Sequence, residues 1–203
     1  MKIIFTMVLL VIAIGLVGGM GYFLFNDKVN SIKPPYRVQE IDKVVKLIDF
    51  SQINSEFLFS AEIPKEFEVE YIPQLKAINI YNPSLGGQTN IEKSQVYISF
   101  FQASKFLTLS TVNITRQDKA TVKEREAILY EITKKDGLPN FSGQPDWRNF
   151  KHHALDIRLT QDSPSYFYSF AYNPNLSQKV FDDFVNSLIF ISSTFIPAAL
   201  PQG

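Results

Sequence analysis

Apolar and polar positions alternate along most of the chain beyond residue 38. In residues 57–63, Phe57, Phe59, Ala61 and Ile63 share one side and Leu58, Ser60 and Glu62 the other, and Pro64 ends the run. This is the two-residue period of a half-buried strand. Residues 67–72 alternate again and stop at Pro73. Residues 77–81 and 95–102 give two further runs, divided by the turn-rich Asn82-Pro83-Ser84-Leu85-Gly86-Gly87. Residues 127–133, 153–159 and 166–172 read the same way, and Asp162-Ser163-Pro164-Ser165 has the chemistry of a hairpin loop.

The period changes twice. After Pro174, Leu176, Val180, Phe181, Phe184, Val185 and Leu188 recur at helical spacing, with Gln178, Lys179, Asp182, Asp183 and Asn186 on the opposite face. This predicts an amphipathic helix over residues 175–187 that runs into a last strand at 188–192. Val38, Ile41, Val45 and Ile48 also repeat at helical spacing, but residues 44–50 suit a strand equally well, and the pattern leaves both open. Strands dominate with few helices, so the expected class is α+β with a central, mainly antiparallel sheet packed by helices.

A different pattern opens the chain. Residues 3–25 carry no charge. As a helix they would extend about 34 Å, enough to cross a hydrocarbon layer of about 30 Å. They predict one N-terminal transmembrane helix within residues 1–25, and their length argues against a cleaved signal peptide, whose apolar core is usually about 7–15 residues. A two-residue head before such a run is the layout of a signal anchor and predicts a C-terminal domain outside the cytoplasm. Lys28, Lys33 and Arg37 outnumber Lys2 across the run and pull the other way. Gly15 and Gly19 form a GxxxG pair that would let two membrane helices approach closely, although glycine is common in such helices. Residues 26–37, with Pro34-Pro35, read as an extended linker; 38–193 as one globular domain; and 194–203 as a frayed tail.

Composition narrows the partners. Twenty basic residues balance 20 acidic ones, which argues against a nucleic-acid binder. With no cysteine in the chain, disulfides, thiolate metal sites, cysteine nucleophiles and a lipoprotein anchor are excluded. The remaining expectation is a single-pass bacterial membrane protein that meets an unknown protein or small ligand.

Residues 57–67, Phe-Leu-Phe-Ser-Ala-Glu-Ile-Pro-Lys-Glu-Phe, resemble the opening strand and turn of the PsbP-like family. The ending is similar too: a strand rich in Phe and Tyr, then Asn173-Pro174, an amphipathic helix through Phe181, and Asn186-Ser187-Leu188-Ile189-Phe190. Pro145-Asp146-Trp147-Arg148 and Asp156-Ile157-Arg158 resemble uncharacterised bacterial members. The resemblance spans residues 57–192 and implies an α/β/α sandwich and a non-catalytic binding or accessory role. It carries over no functional residue, and fold does not fix function.

Candidate chemistry concentrates in residues 146–158, which hold both histidines and the only tryptophan. Trp147, Arg148, His152, Asp156 and Arg158 are the candidate ligand or partner contacts. Trp147 suits either a core lid or a surface for stacking a ligand. A metal site of His152, His153 and Asp156 is disfavoured. Adjacent strand residues point to opposite faces, and His152 and Asp156 would lie about 13 Å apart along a strand. His153 is expected to head the apolar face with Leu155 and Ile157, and His152, Asp156 and Arg158 to lie on the other, where Asp156 and Arg158 could pair with charges on neighbouring strands. Tyr166, Tyr168, Phe170 and Tyr172 form either a covered core face or an aromatic groove. No G-x-S-x-G turn or glycine-rich phosphate loop is present. Catalytic, metal and cofactor-binding residues are assigned to none of these positions. The functional expectation is a membrane-tethered, extracytoplasmic, non-catalytic binding or accessory module. A structural subunit of a membrane complex is the alternative, and a small hydrolase or metal-dependent enzyme a more distant one.

Overall fold

A computed structural model describes residues 44–106 and 110–191. The expected membrane helix, the Gly15/Gly19 pair, the linker and the tail lie outside the described residues. Among the described residues no helix is long and apolar enough to cross a membrane.

The strands form two antiparallel sheets. The small sheet contains β1 (Val45–Asp49), β2 (Phe59–Pro64) and β10 (Ile189–Phe190), in the order β1-β2-β10. The large sheet has seven strands: β3 (Glu68–Ile72), β4 (Ala77–Tyr81), β5 (Ser94–Ala103), β6 (Val112–Val122), β7 (Arg125–Lys134), β8 (His152–Arg158) and β9 (Ser165–Tyr172). Their order is β3-β4-β5-β9-β8-β7-β6. One α-helix, α1 (Gln178–Ser187), is present among the described residues. The ambiguity over residues 44–50 resolves as strand β1, since its paired strand β2 supplies a partner that a lone helical stripe would lack.

Burial on both faces shapes the large sheet. On its first face, Ile78 and Ile80 of β4, Val96 and Ile98 of β5, Tyr168, Phe170 and Tyr172 of β9, and Leu155 and Ile157 of β8 form the main core. The small sheet contributes Phe59, Ala61 and Ile63, and α1 contributes Phe181 and Phe184. Phe59 meets Tyr168 edge-on at 5.2 Å and Phe170 at 5.7 Å, while Phe181 stacks on Tyr172 at 4.0 Å. Three of the four alternating aromatics of residues 166–172 thus lie in the covered core. Ser177 caps α1 by accepting a hydrogen bond from the Val180 amide, and Lys179 pairs with Asp183 one turn on.

The second face carries a smaller cluster of Val112, Ile128, Tyr130, Ile132, Ala154 and Ala171. Phe141 and Trp147, from the segment between β7 and β8, pack against it. Helical packing is therefore confined to the first face among the described residues. The second is closed by irregular chain and one 3-10 turn, Asp146–Asn149.

Strand β6 was absent from the sequence expectation. Its burial is slight, with only Val112 and Val122 buried, because it is the outer edge of the sheet and its polar side chains face water. It joins β7 through Lys123 and Glu124, both at positive φ (48° and 66°), as a two-residue hairpin turn without the usual glycine or asparagine signal.

Tyr168 ties the core to the chain leading into β2. Its hydroxyl donates to the Glu56 carbonyl at 2.7 Å and accepts from the Leu58 amide at 2.8 Å. Replacing Tyr168 with Phe leaves both backbone groups without that partner and is expected to cost about 1–3 kcal/mol in urea unfolding, with an unchanged m value. A loss below about 0.5 kcal/mol would mean that residues 56–58 are not held this way.

Candidate functional site

The second face of the large sheet becomes polar towards its middle. In-register pairing aligns Ser99 of β5, Ser169 of β9 and Asp156 of β8 across three adjacent strands. The neighbouring row is Tyr97, Ala171, Ala154 and Tyr130. Ala154 of that row borders space that the segment over the sheet does not fill. A cavity of about 500 Å3 opens there, and Ser99, Ser169, Phe101, Gln144, Arg148 and His152 are among its walls. That volume is in the range of small-molecule pockets.

The lid over this face is tied by local hydrogen bonds. Pro145 starts the 3-10 turn, whose Arg148 amide donates to the Pro145 carbonyl. The Asn149 side chain donates to the Asp146 carbonyl and carboxylate and accepts from the Phe141 amide at 2.9 Å, closing the loop on itself. Trp147 anchors it to the sheet, its indole N–H donating to the Ser94 carbonyl at 3.1 Å. The Trp147 ring stands edge-on to the His152 ring at 5.5 Å. Trp147 is therefore partly core lid and partly a neighbour of the cavity wall.

Arg148 is directed inward. It is 8% exposed, its Nη1 donates to Gln144 Oε1 at 2.7 Å, and its guanidinium lies 5.0 Å from the centre of the Tyr97 ring. Burial lowers its pKa from the usual value, and the charge of Asp156 acts against that shift. Burial also pushes the Tyr97 hydroxyl up to about 12, and burial together with Asp156 raises that of Tyr130. Asp156 is itself fully buried.

His152 is 2% exposed, and its Nδ1 lies 2.8 Å from the Phe150 carbonyl. A carbonyl only accepts, so Nδ1 carries the proton. Burial lowers the pKa to about 4, so the ring is neutral at pH 7 and Nε2 presents a lone pair. Among the described residues, neither His152 Nε2 nor Arg148 Nε has a hydrogen-bond partner, and both are buried. Buried polar atoms are rarely left so.

The structure brings four of the five candidate contacts together, Trp147, Arg148, His152 and Asp156, and sends Arg158 elsewhere. Arg158 pairs with Glu126 at 3.4 Å and lies over the Phe106 ring. Arg158 thus pairs with a charge on the adjacent strand β7, as expected, while Asp156 has Ile128 and Ser169 as its register partners. His152 and Asp156 lie on the face away from Leu155 and Ile157, as expected, but that face is sealed by the segment between β7 and β8. His153 is partly exposed, stacks on Tyr172 at 5.5 Å and meets its hydroxyl at 3.0 Å. That hydroxyl donates to Gln178 and so accepts from His153 Nδ1. Among the described residues no group of three acidic or histidine side chains converges to hold a metal ion.

Sequence reasoning missed Ser99, Ser169 and Gln144. The first two were detectable as single small polar residues inside apolar strands. Gln144 sits in irregular chain, where no periodicity marks it.

No family model matches this chain, and no curated protein matches it. Among solved structures, the solution structure of cyanobacterial PsbP (CyanoP) from Synechocystis sp. PCC 6803 aligns over 73% of this chain and 93% of its own, at 7% identity and a TM-score of 0.41. The chain is similar to PsbP. A crystal structure from Bacteroides thetaiotaomicron VPI-5482 aligns over 71% of this chain at 11% identity and a TM-score of 0.36, and the chain spans 48% of that protein's length. At such identities the likeness concerns overall fold and says nothing of ligand or partner.

The neutral His152 couples stability to pH. Its folded pKa lies below the unfolded value near 6.5, so the unfolded chain binds the proton first as pH falls. The contribution is complete above pH 6.5 and decays towards pH 4, the drop in pKa being worth about 3 kcal/mol in full. Between pH 7 and pH 4.5, the stability of the native chain relative to His152→Gln is expected to fall by roughly 2 kcal/mol in urea unfolding. A relative stability that does not move with pH would contradict the buried, neutral assignment.

Proposed function

We propose that this chain is a membrane-tethered binding module, non-catalytic and extracytoplasmic, that holds a small ligand in the cavity beside Arg148 and His152. The observation that carries the reading is the pair of buried, unpartnered nitrogens, Arg148 Nε and His152 Nε2, on two residues that wall a cavity of about 500 Å3. Each unpaired buried group costs about 1–3 kcal/mol, a cost that a bound polar molecule would offset. A structural role alone would be met more cheaply by apolar residues of similar volume. The apolar run at residues 3–25 supports the tether. The PsbP-like sandwich implied by the sequence motifs belongs to a group that includes small binding and accessory proteins, which agrees with this role.

The ligand is tested by purifying the full-length chain in detergent from its native membrane and weighing it under non-denaturing conditions. A retained small molecule, lost on Ser169→Phe while the fold is kept, is the expected result. A chain that carries no molecule, and whose single-tryptophan fluorescence does not respond to extracts of its host, would contradict the reading. The side of the membrane is tested with one cysteine at exposed Asn186, since the chain has none of its own. Labelling by an impermeant reagent in intact cells is expected, whereas protection until lysis would put the domain in the cytoplasm.

A further inference from the structure

Resting on the reading of the cavity as a ligand site, we propose that its occupant has an uncharged polar head that both donates and accepts hydrogen bonds, a carboxamide in the simplest case, on a flat apolar body. The two unpartnered nitrogens are of opposite kinds. Arg148 Nε–H is a donor, and His152, whose Nδ1–H is spent on the Phe150 carbonyl, offers Nε2 as an acceptor. A carboxylate brings only acceptors and an ammonium only donors, so each would leave one of the two unmatched. A carboxamide brings both.

Charge leads to the same class. The positive charge of Arg148 is buried with the carboxylate of Asp156, which acts on it electrostatically, and His152 is neutral at pH 7. A charged head would enter this surrounding as an uncompensated ion, at a high desolvation cost. An uncharged head avoids that cost.

The rest of the cavity suits the same molecule. The Ser99 and Ser169 hydroxyls lie side by side on adjacent strands, only half-buried, and each can donate or accept. Phe101 and Phe141 supply flat apolar wall. Arg148 Nε and His152 Nε2 have almost no surface of their own, so a ligand that bonds to them requires the surrounding residues to shift. Trp147, edge-on to His152, is placed to register that movement.

The full-length chain in detergent micelles provides two unambiguous NMR reporters: the indole N–H of its only tryptophan and the imidazole nitrogens of one of its two histidines. Benzamide, benzoate and benzylamine share one body and differ in the head. Benzamide is expected to shift the Trp147 indole signal in a saturable way and to move His152 Nε2 towards the frequency of a hydrogen-bonded acceptor, with the two ions at least roughly tenfold weaker. A shift of Nε2 itself separates ligand contact from a change in packing. If benzoate or benzylamine binds more tightly than benzamide, the head-group chemistry is overturned while the binding-module reading stands. If none of the three moves the Trp147 signal, the inference fails. The retained molecule sought by native mass measurement then decides separately whether the module reading fails with it.

Discussion

Strands β5, β9 and β8 are covered on both sides, and most of the remaining structure follows from the need to cover them. Val96, Phe170 and Leu155 point to one face and Tyr97, Ala171 and Ala154 to the other, all of them nearly inaccessible to water. A sheet with two apolar faces requires two covering layers. The first layer is regular: α1 and the small sheet bring Phe59, Ile63, Phe181 and Phe184 against the tyrosines and phenylalanines of β9. The second is a segment without an α-helix, and it holds its place through Asn149, which closes the loop, and Trp147, which fastens it to the Ser94 carbonyl. Regular elements satisfy their own backbone groups, whereas irregular chain over a buried face must find side-chain partners.

That difference explains why ionisable residues concentrate where they do. Arg148, His152 and Asp156 all lie beneath the irregular layer, and none belongs to the main core. Burial drives the histidine to its neutral form and weakens the arginine's hold on its proton, while the nearby carboxylate opposes the second effect. On the first face the buried hydroxyls are fully used: Tyr168 serves two backbone groups, and Tyr172 meets both His153 and Gln178.

The strands were legible in the sequence wherever one face is apolar and the other polar, as at residues 57–63, and wherever an aromatic run ended in a breaker, as at Asn173-Pro174. Strand β6 was not, because an edge strand built from Asn113, Arg116, Asp118 and Lys119 buries too little to leave a period, and its Lys123-Glu124 turn carries no glycine. Of the site, Arg148 and His152 could be singled out by chemistry and proximity, as could the division of β8 into two faces. The burial of that second face could not be read. It depends on residues 135–151 folding back over the sheet, a long-range packing choice that leaves no mark on the strand. Asp156 shows the consequence: strand periodicity assigned it the correct side, yet gave no sign that this side is fully buried, next to Ser169 and under the covering segment.

The distribution of unsatisfied atoms separates what the fold needs from what it tolerates. Among the described residues, the buried side-chain atoms without a hydrogen-bond partner include Asn79 Oδ1 and Ser94 Oγ, and also Arg148 Nε, His152 Nε2 and Arg158 Nε, these last three on the second face or in the segment covering it. The first face packs its aromatics in stacked and edge-on contacts, and its buried Tyr168 and Tyr172 hydroxyls are hydrogen-bonded. Local rules broken on one side of a sheet and kept on the other are the pattern expected when a site is set into a stable frame. For stability alone, a buried arginine and an imidazole with one unpartnered nitrogen are expensive choices, since desolvation opposes both. Next to two serines and an open volume, these two residues are what the proposed binding role rests on, and the aromatic face is the packed frame behind them.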